Sequence, residues 1–237
     1  RLGIAGGGVS PFAMLGFDDD PARNRKRSEN CARDYYKPDR IKTFPRPVTM
    51  PARLKIGYFS ADFHDHPVMH LMAGLFREHD RERFEIHIFS YGTTPGGPMR
   101  EELIRNVHRF HDISRASDDD VVRLAREQQL DIAIDLMGPT GPTRTRMFQY
   151  RLAPIQMGYL GYPGTMGAPF LDYMIADPFV IPRSEREHYS EKIVFLPNTY
   201  LPADNRRPIA ANPGTRADHG LPEKGFVFCS FNNSYKI

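Results

Sequence analysis

From residue 54 onward the sequence alternates short apolar runs with helical patterns, and no other feature limits the fold as much. Leu54–Phe59, Phe84–Tyr91, Asp131–Leu136 and Ile155–Tyr159 are short and rich in Ile, Phe and Tyr, the signature of strands buried on both faces. Phe110–Ser114, Leu171–Ala176 and Ile193–Leu196 are three further candidates. Between the first two runs, Val68, Leu71, Met72, Leu75 and Phe76 recur at i, i+3, i+4, i+7 and i+8, one apolar face of a helix that Pro67 opens. A helix is expected around 99–108. Ser117 caps another, with Asp118, Asp119 and Asp120 in its first turn and Val121, Leu124 and Ala125 facing inward. Short helices follow through Met147 and Phe148 and near 185–189. Strand and helix in alternation predict an α/β fold, a mostly parallel sheet with helices on both faces.

The flanks read differently. Gly6-Gly7-Gly8 has no strand before it, so residues 1–20 are expected to be a flexible connection rather than a phosphate loop. Pro21 starts a helix over roughly 21–36, and Pro38, Pro45, Pro47 and Pro51 mark a linker over 37–53. Residues 202–224 are polar and Pro-rich, a second linker, and GFVFCSF at 225–231 reads as a new strand. The chain opens at Arg1 without a Met and stops soon after that run, so both ends read as cut. Composition narrows the class of partner. A net charge of +3, scattered along the chain, gives no footprint for nucleic acid. Cys31 and Cys229 form neither a metal spacing nor a disulfide framework, which fits a reducing cytoplasm. No apolar run is long enough to span a membrane and no signal peptide is visible.

Chemistry concentrates where the first strand meets its helix. Ser60-Ala61-Asp62-Phe63-His64-Asp65-His66 forms a polar corner at a strand's carboxyl end, where open α/β sheets bind ligands. The helix N-terminus beyond it aims N–H groups and a positive dipole at an anion such as a pyrophosphate. Two other loops, 137–143 and 160–167, follow strands at the same edge and are rich in Gly, Pro and Thr. His66 before Pro67 is read either as a helix cap or as a group of the site. His64, His66 and His70 could also suggest a metal, but the spacing matches no standard ligand set. The Asp triplets at 18–20 and 118–120 both precede helices, which favours dipole pairing over Asp-x-Asp metal binding. No GxGxxG, Walker A, GxSxG or HExxH is present. The residues alone therefore point to a cleft for a phosphorylated ligand.

Four ordered motifs add a resemblance. They are DFHDHPVMHL at 62–71, APIQMGYLGYPGTMGAPFLDYMIAD at 153–177, YSEKIVFLP at 189–197 and GLPEKGFVFCSFNNSYKI at 220–237. Together they closely resemble the catalytic region of the O-linked N-acetylglucosamine transferases, the SPINDLY proteins included. The resemblance implies a Rossmann-like lobe over 53–203 of a two-lobed GT-B enzyme, a linker at 204–224 and the first strand of a second lobe at 225–237. Residues 1–52 would join upstream tetratricopeptide repeats. It implies an inverting transferase that needs no metal or cofactor, with UDP-GlcNAc as co-substrate and protein Ser/Thr hydroxyls as acceptors. His66 matches a histidine proposed as general base, and Asp62 a carboxylate discussed as base or orienting group. Pro67 completes a His-Pro pair. Leu160 and Gly161 match backbone that contacts the sugar. Lys236 matches a lysine that steadies the departing diphosphate, Asn233 stands where many members have Gln, and Tyr235 sits beside Lys236. Two departures concern the acceptor side: Pro139-Thr140-Gly141 replaces a Tyr-Thr-Lys of animal members, and Val9-Ser10-Pro11-Phe12 a histidine-rich segment. Within the resemblance a fucosyl or glucosyl donor is an alternative, as is a non-catalytic nucleotide-binding scaffold. With one lobe and one further strand, the chain alone is expected not to transfer sugar.

Overall fold

A computed structural model of the protein describes residues 2–5, 8–37, 44–45, 49–94, 96–207 and 210–231. The chain divides into two compact units, Arg1–Asp204 and Asn205–Ile237.

The first unit is built on seven parallel strands: β1 (Leu54–Ser60), β2 (Phe84–Ser90), β3 (Arg109–Asp112), β4 (Ile132–Asp135), β5 (Ile155–Gly158), β6 (Tyr173–Ala176) and β7 (Lys192–Phe195). They lie in the order β3-β2-β1-β4-β5-β6-β7. The chain winds outward from β1 to β3, then returns to place β4 against the free side of β1, pairing Ile56 with Ile132 and Phe59 with Asp135. Among the described residues five α-helices accompany the sheet: α1 (Pro11–Met14), α2 (Pro21–Tyr35), α3 (Pro67–Glu78), α4 (Pro98–Asn106) and α5 (Asp118–Glu127). Both faces of the sheet are covered, as the two-fold alternation of side chains requires. Ile56 and Tyr58 of β1, Ile86 and Ile88 of β2 and Ile134 of β4 join Met69, Met72 and Phe76 of α3 and Leu103 of α4 in one apolar cluster. Phe59, Phe89 and Ala133 point the other way, into a cluster with Val121 and Ala125 of α5, Phe148 and Ala32 of α2. There the Phe59 and Phe89 rings stack at 4.3 Å. No helix of the described residues is long and apolar enough to cross a membrane.

The helix starts follow their sequence signals. Asp20 accepts the Arg23 N–H at 3.0 Å to cap α2, and Ser117 accepts the Asp120 N–H at 3.2 Å to cap α5. The ends shift where β3 intervenes. α4 stops at Asn106, before the expected 108, because the His108 N–H already bonds Ile86 O on β2.

Two expectations for the flanks need correcting. The described part of residues 1–20 is packed onto α2, rather than forming a flexible connection. Arg27, only 1% exposed, donates to Leu2 O at 3.0 Å and pairs with Asp18 at 2.6 Å. Asn30 donates to Gly3 O and Ile4 O at 3.0 Å each. A buried guanidinium is tolerated only with its donors paired, and Leu2 O, Asn24 Oδ1 and Asp18 pair those of Arg27. The run 225–231 forms no strand. A strand exists through its ladder partners, and Phe226, Phe228 and Phe231 are 83, 90 and 96% exposed. Within the second unit, Thr215 donates N–H and hydroxyl to Asp218 at 2.7 and 2.8 Å around the short helix Ala217–His219.

One titrating cluster lies between β2 and β3. Buried His87 has Nδ1 3.4 Å from His111 Nε2 and Nε2 2.9 Å from Glu85. Burial pushes the His111 imidazole down from 6.5 to about 4, helped by the neighbouring His87 and Arg109 charges. Burial also lowers His87, against the pull of Glu85. The folded state therefore binds fewer protons than the unfolded chain below pH 6.5, so stability must fall as pH drops from about 6.5 toward 4. Because the His111 ring is partly exposed, solvent screening holds its share of the loss to about 1–2 kcal/mol. Urea midpoints between pH 7 and 4.5 check this, and His111→Phe, which keeps the stack on Phe89, should flatten the profile.

Candidate active site

The return of the chain from β3 to β4 makes a switch point between β1 and β4, and open α/β sheets bind ligands at the carboxyl ends of such strands. The loops after β1, β4 and β5 meet there, and buried backbone contacts hold them together. Gly161 lies so close to Leu136 that a Cβ would come within 2.0 Å of its carbonyl oxygen. Gly138, at φ +60°, likewise leaves room for Tyr162, whose Cβ would be 2.6 Å from an added methyl. Only glycine fits at either position.

Each site residue expected from the sequence has a definite place here, except three. His66 caps α3, its Nδ1 accepting the Val68 N–H at 3.3 Å. Pro67 occupies the first helical position, where its missing N–H is not needed. Asp62 sits between the histidines, with Oδ2 3.5 Å from His66 Nδ1 and Oδ1 4.0 Å from His64 Nε2. The Asp62 N–H bonds the buried Ser60 hydroxyl at 2.9 Å, which fixes the corner. Leu160 adopts φ +68°, and the Gly161 N–H bonds Tyr159 O at 2.9 Å across it. This is a γ-turn of the rare positive-φ kind, a strained form for a leucine. Asn233, Tyr235 and Lys236 lie outside the described residues.

The three histidines of the metal alternative have different partners. His70 Nε2 lies 2.8 Å from Asp65 Oδ1, whereas His64 and His66 lie beside Asp62. No group of three His, Cys, Asp or Glu among the described residues could hold a metal ion.

Asp135 escaped the sequence reading. It ends β4 at the switch point, 2% exposed, and accepts the N–H groups of Met137 at 3.0 Å and Gly138 at 3.2 Å and the Thr145 hydroxyl at 2.6 Å. Burial pushes its carboxyl above the ordinary aspartate range, and these three donors offset part of that push. It shapes the 136–145 loop from beneath. The one available signal was an acidic residue closing an apolar strand before Gly138-Pro139. A cleft of about 650 Å³ opens beside this region, lined by residues including Tyr35, Lys37, Arg115, Arg146 and Tyr150, and none of the site residues lines it.

A doubly wound parallel sheet with polar, glycine-rich loops gathered at its switch point defines a Rossmann-like lobe. Residues 38–212 match the model of glycosyl transferase family 41. The chain belongs to that family. A probable UDP-N-acetylglucosamine–peptide N-acetylglucosaminyltransferase of Arabidopsis thaliana, SEC, is 34% identical over 97% of this chain and 25% of its own length. A protein of Petunia hybrida named as the probable transferase SPINDLY is 31% identical over 78% of this chain and 20% of its own. The solved structure of a Thermobaculum terrenum O-GlcNAc transferase mutant, K341M, superposes with a TM-score of 0.78 at 28% identity, covering 86% of this chain and 39% of that one. The chain thus spans about a quarter or less of these curated relatives' length.

Proposed function

We propose that this lobe belongs to an inverting, metal-independent GT-B transferase that moves N-acetylglucosamine from UDP-GlcNAc to Ser or Thr hydroxyls of proteins. The observation that carries this is the meeting, in a family 41 chain, of the strained Leu160–Gly161 turn and the His66-capped start of α3 at the switch point. The turn offers fixed backbone to a sugar. The helix start offers N–H groups and a positive dipole to a phosphate.

In the reaction the acceptor hydroxyl attacks the anomeric carbon as the bond to the β-phosphate oxygen breaks, and UDP leaves with that electron pair. His66 Nδ1 is occupied by the Val68 N–H, so the neutral ring carries its proton on Nε2. In that tautomer His66 donates a hydrogen bond to the sugar or phosphate. Asp62 and the donor's own phosphate are then the groups left to take the hydroxyl proton. Lys236, with Asn233 and Tyr235, is assigned to the departing diphosphate on the resemblance. The assay is transfer by the full-length protein from UDP-GlcNAc to acceptor polypeptide in excess chelator. Transfer should persist, and activity that is lost and returns only with manganese would overturn the metal-free reading.

His66→Asn separates capping from chemistry. Asparagine is among the best caps, so stability should hold within about 0.5 kcal/mol, whereas alanine should cost about 1 kcal/mol. Both variants lose the Nε2 donor, and kcat should fall roughly tenfold or more in each. Wild-type kcat in His66→Asn would leave His66 as a cap alone.

A further inference from the structure

The motifs 162–167 and 189–191 are far apart in sequence, and their side chains close into one buried cluster. Glu191, 4% exposed, precedes β7. Its Oε1 accepts the Met166 N–H at 2.7 Å, and its Oε2 accepts the Thr165 hydroxyl at 2.6 Å and the Ser190 hydroxyl at 3.1 Å. Thr165, 5% exposed, in turn accepts the Ser190 N–H at 3.0 Å and the Gly167 N–H at 3.2 Å. The Tyr189 hydroxyl donates to Pro163 O at 3.0 Å. Three successive residues thus each hold a piece of the loop after β5. On the loop's other side, Gly167 at φ +63° packs so tightly on α2 that a Cβ would lie 2.4 Å from the Glu29 nitrogen.

This arrangement answers a question the γ-turn raises. A leucine at φ +68° is strained and persists only where the surroundings over-determine it. Tyr162, under Gly138, anchors the turn on the β4 side. The Glu191 cluster fixes the chain from Pro163 to Gly167. Resting on the functional reading above, we propose that Glu191 is a positioning residue for the nucleotide sugar, holding the Leu160–Gly161 backbone in its ligand-ready turn through Thr165 and Met166. It touches no substrate. A carboxylate suits the task because one group accepts a backbone N–H and a hydroxyl at once, and a neutral replacement leaves buried donors unpaired.

The test uses the full-length protein. Glu191→Ala and Thr165→Val are compared with Thr165→Ser, which keeps the hydroxyl, and with Lys192→Ala at the exposed neighbour. The readouts are kcat, KM for UDP-GlcNAc, KM for the acceptor, and amide exchange over 159–167. The expected result is a donor KM raised about tenfold in the first two variants, an unchanged acceptor KM and faster exchange at 160–167, with Thr165→Ser and Lys192→Ala near wild type. A general loss of folded protein would lower the active fraction without moving donor KM alone. Folded Glu191→Ala or Thr165→Val with wild-type donor KM and wild-type exchange overturns the proposal. If Glu191→Ala does not fold, Thr165→Val carries the same comparison. If the wild-type protein does not use UDP-GlcNAc, the functional reading fails by itself, and exchange decides the clamp: protection at 160–167 that survives both substitutions overturns it.

Discussion

Asp135→Ala is expected to cost about 3–5 kcal/mol of stability, because it strips three buried donors of their acceptor at once. The Met137 and Gly138 N–H groups and the Thr145 hydroxyl all end on this carboxylate. Removing one partner of a buried hydrogen bond costs the desolvation of the group left behind, about 1–3 kcal/mol each, and water entering the space recovers part of that. A domain stable by only about 5–15 kcal/mol would lose a large share. Asp135→Asn should cost less. Burial already disfavours the charge, and an amide oxygen still accepts one of the donors. Chemical denaturation of both variants measures the difference. A loss below about 1 kcal/mol in the alanine variant would show that the 136–145 loop does not depend on Asp135. The structural consequence follows from position: this loop packs on Gly161 through the Leu136 carbonyl, so its loosening reaches the Leu160–Gly161 turn.

The architecture was legible in the sequence because burial on both faces writes itself into composition. All seven strands fall within two residues of the apolar runs that announced them, and β1 is nearly unbroken in its burial. The capped starts of α3 and α5 were legible for a local reason: His66-Pro67 and Ser117 with its aspartates act within one turn. What escaped was set by distant partners. The Gly-rich start of the chain reads as flexible until α2 supplies Arg27 and Asn30 to its carbonyls. GFVFCSF reads as a strand from its side chains alone, and pairing decides otherwise. Glu191 lies 26 residues from Thr165, and nothing in either motif announces that they bond.

Lys236→Ala in the full-length protein should reduce kcat about 30- to 1,000-fold while leaving folding nearly untouched. The residue lies outside the described part of the chain, so its role rests on the resemblance of the FNNSYK run to the family's catalytic region. In the mechanism proposed above, negative charge would grow on the β-phosphate as the glycosidic bond breaks, and without a metal that charge would be left to lysine, N–H groups and helix dipoles. Removing one preorganised donor to such a developing charge costs about 2–4 kcal/mol. A point charge is wanted here, so arginine, with its broader planar fork, should restore only part of the rate. The loss should fall mainly on kcat, because the interaction strengthens as the charge develops. UDP, which carries the diphosphate before and after reaction, should bind only modestly more weakly in calorimetry. A lysine that serves the ligand rather than the fold should change stability by less than about 0.5 kcal/mol when substituted. A kcat within threefold of wild type would remove Lys236 from the leaving-group site and turn attention to the start of α3 as the main anion holder.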